Sequence, residues 1–165
     1  MSDAISTCDL CDAHPAAVRV LDLPLRDFGG RRAFAGTVST VRALEDNSRV
    51  KEALGEPGEG RVLVVDGGGS TRRSMLGDLL AAQAVAHGWA GVIVHGVIRD
   101  SAAIAGMDLG VKALGTVPLK TDRRDQGLRD VPVTFGGVTI LPGEWLAADA
   151  DGVLVTAQPL LRDPG

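Results

Sequence analysis

The stretch from Arg61 to Asp100 limits the possible folds of this chain more than any other. It holds an apolar run (Arg61–Val65), a glycine turn (Gly67-Gly68-Gly69), a helix opening at Gly77-Asp78-Leu79-Leu80, a second apolar run (Gly91–Val94) and then Arg99-Asp100. Short apolar runs bounded by glycine read as buried strands. If the two runs are parallel neighbours, the crossover between them is right-handed, and the helix start and the end of the second strand share one edge of the sheet. That edge is where open α/β sheets bind ligands. Unpaired N–H groups at Gly77–Leu80 and the positive end of the helix favour a carboxylate or phosphate there. Arg99 offers paired donors to the same anion, whereas Asp100 can only accept and suits a hard cation or a water held by one. The plainer reading of the same residues is a surface Arg-Asp pair after a strand, with Gly67–Gly69 as a simple turn.

The 165 residues fit one domain, 1–165, with a core from about 7 to 156 and a tail over 157–165. Aromatic residues make up only 3% of the chain and Tyr is absent, so the core has to be built from Val, Leu, Ala and Ile. That suits an α/β fold of packed layers. A net charge of −4 argues against direct nucleic-acid binding, which needs clustered positive charge. No apolar run approaches the roughly 20 residues that cross a bilayer. Met1-Ser2-Asp3-Ala4 has neither the basic nor the apolar part of a signal peptide. A cytoplasmic protein that makes no membrane contact is expected.

Other elements follow from local pattern. Thr7 caps a short helix from Cys8 to about Ala13, which places Cys8 and Cys11 three apart on one face as half-buried packing residues. A linking region follows. Phe34–Val41 alternates as a strand, and Asp46-Asn47-Ser48 caps a helix reaching Leu54. Gly55–Gly60 is a loop, Gly88 ends the central helix, and Ser101–Gly106 forms one helical turn before a strand at Val111–Val117. Lys120–Asp130 is dense in charge and reads as a solvated excursion or a partner contact. Val131–Phe135 and Val138–Leu141 flank Gly136-Gly137 as a hairpin, and Trp145–Ala148 and Val153–Thr156 flank Asp149–Gly152 as a second. The C-terminal third is therefore β-rich around a central βαβ unit.

Several chemistries lack their signatures. Gly67–Arg72 completes neither a dinucleotide fingerprint nor a P-loop. His14, His87 and His95 lack metal-ligand spacing, although His95 sits where it could line a pocket or serve as a hydrogen-bonded structural residue. No nucleophile elbow is present. What remains is an anion cradle, an arginine and a carboxylate. That set fits a Mg²⁺- or Mn²⁺-type site completed by the oxygens of a small 2-oxo acid.

Five segments in order carry a family resemblance: Thr7-Cys8-Asp9-Leu10-Cys11-Asp12, Gly77-Asp78-Leu79-Leu80, Gly96-Val97-Ile98-Arg99-Asp100, Phe135-Gly136-Gly137-Val138 with Pro142-Gly143, and Ala148-Asp149-Ala150-Asp151-Gly152. From about Thr7 to Thr156 the chain resembles the family of the regulator of ribonuclease E activity A (RraA), which includes the 4-hydroxy-4-methyl-2-oxoglutarate aldolases. The resemblance implies a layered α/β fold of swivelling phosphohistidine-domain type and a homotrimer with sites between subunits. It implies an aldolase releasing pyruvate, with oxaloacetate decarboxylation through a shared enolate. In that scheme Gly77, Asp78, Leu79 and Leu80 bind substrate, Arg99 binds the pyruvate part and stabilises its enolate, and Asp100 holds the divalent metal. Aldolase members usually carry an acidic residue three positions after the metal aspartate, where this chain has Ala103. Regulator-type members that lack the aldolase often lose the aspartate itself, which this chain retains. The alternative the resemblance implies is a protein that binds ribonuclease E or an RNA-degrading assembly and inhibits it.

Overall fold

A computed structural model describes residues 4–161. Residues 1–3, from the segment read for a signal peptide, and 162–165, the end of the tail, lie outside the described residues.

The two apolar runs become β4 (Val62–Asp66) and β5 (Gly91–Ile98), which are parallel and adjacent, with Val62 beside Gly91 and Asp66 beside His95. Side chains along them alternate between two buried layers. Val62, Val64 and Ile93 enter one, while Leu63, Val65, Val92 and Val94 enter the other. Strands covered on both faces need such continuous apolar sequence. β6 (Gly110–Thr116) extends the parallel block beyond β5, with a register shift between Val94 and Val97. β3 (Phe34–Arg42) flanks β4 on its other side.

β3 joins two sheet regions. Its second half, Val38–Arg42, runs parallel to β4, whereas Phe34–Thr37 pairs antiparallel with β10 (Trp145–Asp149), which in turn pairs with β11 (Gly152–Thr156). One layer packs the parallel strands against α2 (Ser48–Leu54), α3 (Asp78–Ala86) and α4 (Ser101–Ala105). The opposite layer is filled by Leu146, Ala148, Val153 and Val155 and by the hairpin of β8 (Val133–Phe135) and β9 (Val138–Ile140). Gly136 (φ 58°) and Gly137 (φ 72°) both take the left-handed conformation that this two-residue turn requires. Phe34 needs its own accommodation. A Cβ at Gly91 or Gly110 would lie 2.5 or 2.1 Å from its ring, so the two neighbouring glycines form the floor under it.

α1 (Thr7–Ala13) lies outside these layers, with Leu10 packed on Trp145, Ala147 and Leu154. Its start corrects the sequence reading. The cap is Ser6, whose hydroxyl accepts from the Asp9 N–H, whereas Thr7 donates its N–H and hydroxyl to Asp149 at 2.8 and 2.6 Å. Cys8 is exposed with its Sγ–H directed at Asp151, and only Cys11 is half-buried. At α2 the cap comes from the expected Asp46-Asn47-Ser48 cluster. Asn47 occupies the N-cap position without capping, and Asp46 Oδ1 accepts from the Ser48 N–H and hydroxyl.

Three two-residue strands went unread: β1 (Arg19–Val20), β2 (Arg26–Asp27) and β7 (Leu128–Arg129), which pair with β11, β6 and β3. The last corrects the reading of Lys120–Asp130 as a solvated excursion. Side chains from Asp122 to Gln126 are exposed, but Thr121 is buried, and the Arg124 and Gln126 N–H groups donate to Asp46 Oδ2 at 2.7 and 3.2 Å. Arg129 holds Glu56 through both terminal nitrogens. The segment is bound down at both ends.

Candidate active site

β5 continues four residues past Val94, which carries Arg99 to the sheet edge. There the Ser74–Leu76 segment is laid along it. Met75 donates to Val97 O at 2.9 Å, and Arg99 donates to Leu76 O at 3.0 Å. The turn at Gly77 therefore meets the end of β5 directly.

Adjacent residues on a strand point to opposite faces, which would separate Arg99 from Asp100. The backbone prevents this. Asp100 adopts φ 57° and ψ 39°, a left-handed conformation that Asp tolerates better than most side chains, and the kink turns its carboxylate back toward Gly77. A Cβ at Gly77 would stand 3.0 Å from Asp100 Oδ2 and 3.3 Å from Arg99 Nε. Both functional groups crowd the same glycine.

The Asp78 N–H donates to Asp100 Oδ2 at 3.0 Å, and Arg99 Nε lies 3.8 Å from the same oxygen. Hydrogen bonding with Asp78, first through its amide and then its side chain, outweighs burial and, with lesser help from the Arg99 charge, holds the Asp100 carboxyl below the usual carboxylate range. It is an anion at neutral pH. This refines the cradle expected at Gly77–Leu80, because one of its donors is already engaged by the protein's own carboxylate. The first bond of α3 runs from the Ala81 N–H to Gly77 O, so Leu79 and Leu80 carry the amides left for a ligand.

A cavity of about 360 Å³ opens here, lined by Gly77, Asp78, Leu79, Leu80 and Arg99. That volume is in the range of small-molecule sites, roughly 300–1,000 Å³. All five residues assigned to substrate thus face one space, and Asp100 stands at its shoulder against Gly77. Sequence reasoning missed the rest of the lining, made by Asn47, Ser74 and Lys120–Arg123. The charge density of Lys120–Asp130 was its only visible signal.

His95 does not line this cavity. Its Nδ1 lies 3.1 Å from Asp66 Oδ1, its ring stacks on Phe135 at 4.7 Å, and Gly68 (φ 68°) and Gly69 (φ 74°) turn beside it. The structural readings of His95 and of the glycine turn hold. Among the described residues no group of three or more His, Cys, Asp or Glu side chains converges as a ready-made metal cage. Asp100 is not among the residues lining the cavity, but only its Oδ2 is engaged by the described residues, which leaves a second carboxylate oxygen beside the Gly77 turn. One carboxylate, with waters and ligand oxygens, is how Mg²⁺-type cations are commonly held.

The model of the RraA-like family, described as aldolase/RraA, matches residues 7–155. The chain belongs to this family. It is 56% identical to a protein of Alkalilimnicola ehrlichii over 96% of this chain and 99% of that one. A Xanthomonas campestris protein is also 56% identical, over 94% of this chain and 93% of its own length. Both carry the provisional name 4-hydroxy-4-methyl-2-oxoglutarate aldolase. Among solved structures, the RNA-processing inhibitor RraA from Thermus thermophilus superposes with a TM-score of 0.91 at 44% identity, covering 94% of each chain. A Geobacillus kaustophilus protein named as an S-adenosylmethionine:2-dimethylmenaquinone methyltransferase superposes with a TM-score of 0.94 at 49% identity, covering 98% of this chain and 100% of that one. The layered α/β architecture is that of the RraA family. No described helix is long and apolar enough to cross a membrane.

Proposed function

We propose that this RraA-like chain is a divalent-metal-dependent aldolase that cleaves 4-hydroxy-4-methyl-2-oxoglutarate to pyruvate and decarboxylates oxaloacetate through the same enolate. The observation that carries this is that Arg99 and the Gly77 turn line one cavity, with Asp100 bonded to that turn. Arg99 pairs with the carboxylate of the 2-oxo acid and offsets negative charge as the enolate forms, where a fixed cation contributes most. Leu79 and Leu80 N–H groups orient the same end. Asp100 would hold a Mg²⁺ or Mn²⁺ ion, which when bound draws electrons toward the 2-oxo group.

Asp78, a residue of the cavity lining, would take the proton of the C4 hydroxyl. As it does so the C4 oxygen becomes a carbonyl, the C3–C4 bond breaks, and its electron pair passes into the enolate. Protonation at C3 then gives pyruvate. In oxaloacetate the same bond breaks with loss of CO₂, and no hydroxyl proton has to be removed.

The test is pyruvate release from both substrates with added Mg²⁺ or Mn²⁺. Release by the wild type and its loss in Arg99→Ala and Asp100→Ala are expected, and an unchanged rate in Arg99→Ala would place the chemistry elsewhere. Ala103, exposed on α4, supplies no further carboxylate to the cation. A homotrimer in the cytoplasm is part of the reading. Leu79, 78% exposed at the cavity mouth, supports coverage by another copy.

The likeness to Thermus thermophilus RraA favours a second reading, in which the chain binds and inhibits ribonuclease E. Titration of ribonuclease E activity with the protein tests it, and no inhibition at saturating amounts would remove it.

A further inference from the structure

The chain that lines the cavity at Lys120–Arg123 runs on to Leu128 with no backbone–backbone hydrogen bond from residues 121–127 among the described residues. Apart from a loose contact of Arg73 with Asp122 at 3.8 Å, side chains from one short block, Asp46–Arg49, hold it instead. Asn47 Oδ1 accepts from the Thr121 hydroxyl at 2.8 Å and from the Arg123 Nε–H at 3.0 Å. Asp46 Oδ2 accepts from the Arg124 and Gln126 N–H groups. Arg49 takes the carbonyls. Its Nη2 donates to Asp125 O at 2.8 Å and its Nε to Gly127 O at 3.2 Å, while Nη1 lies 2.8 Å from Asp125 Oδ1 and donates to Glu52 Oε2 at 2.9 Å. Its stem is close as well, since a Cβ at Gly127 would stand 3.1 Å from Arg49 Cγ.

Asp125 O and the Gln126 N–H belong to one peptide group. Arg49 holds the oxygen and Asp46 the N–H, so the plane is gripped at both poles by side chains three positions apart at the start of α2. If that peptide turned, Asp46 would lose Gln126 and keep only Arg124, the neighbour of Arg123 in the lining. A planar, forked guanidinium directs two carbonyls at once, which the point charge of an ammonium does not. Arg49 itself is not part of the cavity lining.

We infer that Arg49 is a positioning residue of this site: from outside the cavity it fixes the 125–126 peptide, and through that peptide it keeps Lys120–Arg123 in the lining. The inference rests on the reading of this cavity as the 2-oxo acid site. Arg49 touches no ligand there, and the groups proposed for bond cleavage belong to the end of β5 and the start of α3. Its effect is therefore on binding. Without Arg49 the segment populates other positions, and apparent affinity falls with the fraction of molecules whose lining is complete, while turnover of the bound substrate is unchanged.

Hydrogen exchange of the Arg124 and Gln126 amides reads the grip directly, and calorimetry with pyruvate and Mg²⁺ reads its consequence, both on the full chain. In the wild type, pyruvate with Mg²⁺ is expected to slow exchange at both amides. In Arg49→Lys, which keeps the charge but not the fork, and in Arg49→Gln, both amides should exchange about tenfold faster, pyruvate should bind about tenfold more weakly, and KM for oxaloacetate should rise with kcat within about twofold. A structural role alone, in variants whose melting curves show them folded, would speed exchange without moving affinity or KM. Unchanged pyruvate affinity in both variants, or wild-type amides whose exchange the ligand does not slow, would overturn the inference and leave the aldolase reading standing. Absence of pyruvate binding by the wild type would overturn the 2-oxo acid site, and the role of Arg49 in it.

Discussion

The two walls of the cavity are made in different ways. One is the parallel β4-α3-β5 unit, continuous in sequence, in which a single left-handed residue and one glycine bring Arg99 and Asp100 to a helix start. The other is the Lys120–Arg129 segment, held over the cavity by Asp46 and Asn47 from more than 70 positions away. The first wall rests on buried apolar strands and is rigid by construction. The second rests on a few hydrogen bonds to two buried polar residues. The groups proposed for bond cleavage belong to the first wall, and the second borders the same space.

The largest effect expected is on the first wall. Arg99→Ala should lower kcat/KM for pyruvate release by about 10²–10³, the usual cost of a lost charge-stabilising group. The melting temperature should barely move, because the Arg99 side chain is partly exposed and forms only a loose pair with Asp100. A comparable fall in melting temperature would mean that this wall is itself structural.

Next is Asp78→Asn, which should slow aldol cleavage by about 10²-fold. Oxaloacetate decarboxylation should be spared by comparison, since it has no hydroxyl proton to lose. Equal losses in the two assays would remove Asp78 from the proton's path.

On the second wall, Asp46→Ala removes the acceptor of four hydrogen bonds, from Ser48 N–H and hydroxyl and from the Arg124 and Gln126 N–H groups. A loss of about 2 kcal/mol in denaturant unfolding is expected, together with a KM that rises more than kcat falls. A kcat fall with KM unchanged would erase the division between the walls.

The smallest effect is of pH. Burial opposes ionisation of Asp46, but the Ser48 hydroxyl and amide and the Arg124 and Gln126 amides outweigh it and hold its pKa below the ordinary value. A group lowered on folding stabilises fully above its unfolded pKa, and its contribution fades as pH falls through the folded one. Below the ordinary carboxylate range the wild type should therefore lose stability more steeply than Asp46→Ala. Parallel acid profiles of the two proteins would contradict this.

What sequence reveals follows the same division. The β4-α3-β5 unit was legible because apolar runs, a glycine turn and a helix start are local patterns, and the residues they bring together are separated by secondary structure of known geometry. The hairpin at Gly136-Gly137 was legible for the same reason. β1, β2 and β7 were not, since two residues contain no period. Thr7 has the chemistry of a helix cap, but tertiary structure gave it to Asp149, 142 positions away, and left the capping to Ser6. Asp46 and Asn47 were correctly placed at a helix start, yet nothing local indicates that their free oxygens anchor the far wall. Charge alone could not separate a segment dissolved in water from one tied by its backbone N–H groups.

The kink at Asp100 gives the dipeptide a direction. Exchanging the two residues would keep composition, net charge and hydropathy identical, but it would ask an arginine to hold the backbone shape that aspartate tolerates and would leave the carboxylate on the straight strand. Any substitution scale that compares residues only as members of a set would score that exchange as silent, whereas in three dimensions the two positions are not equivalent.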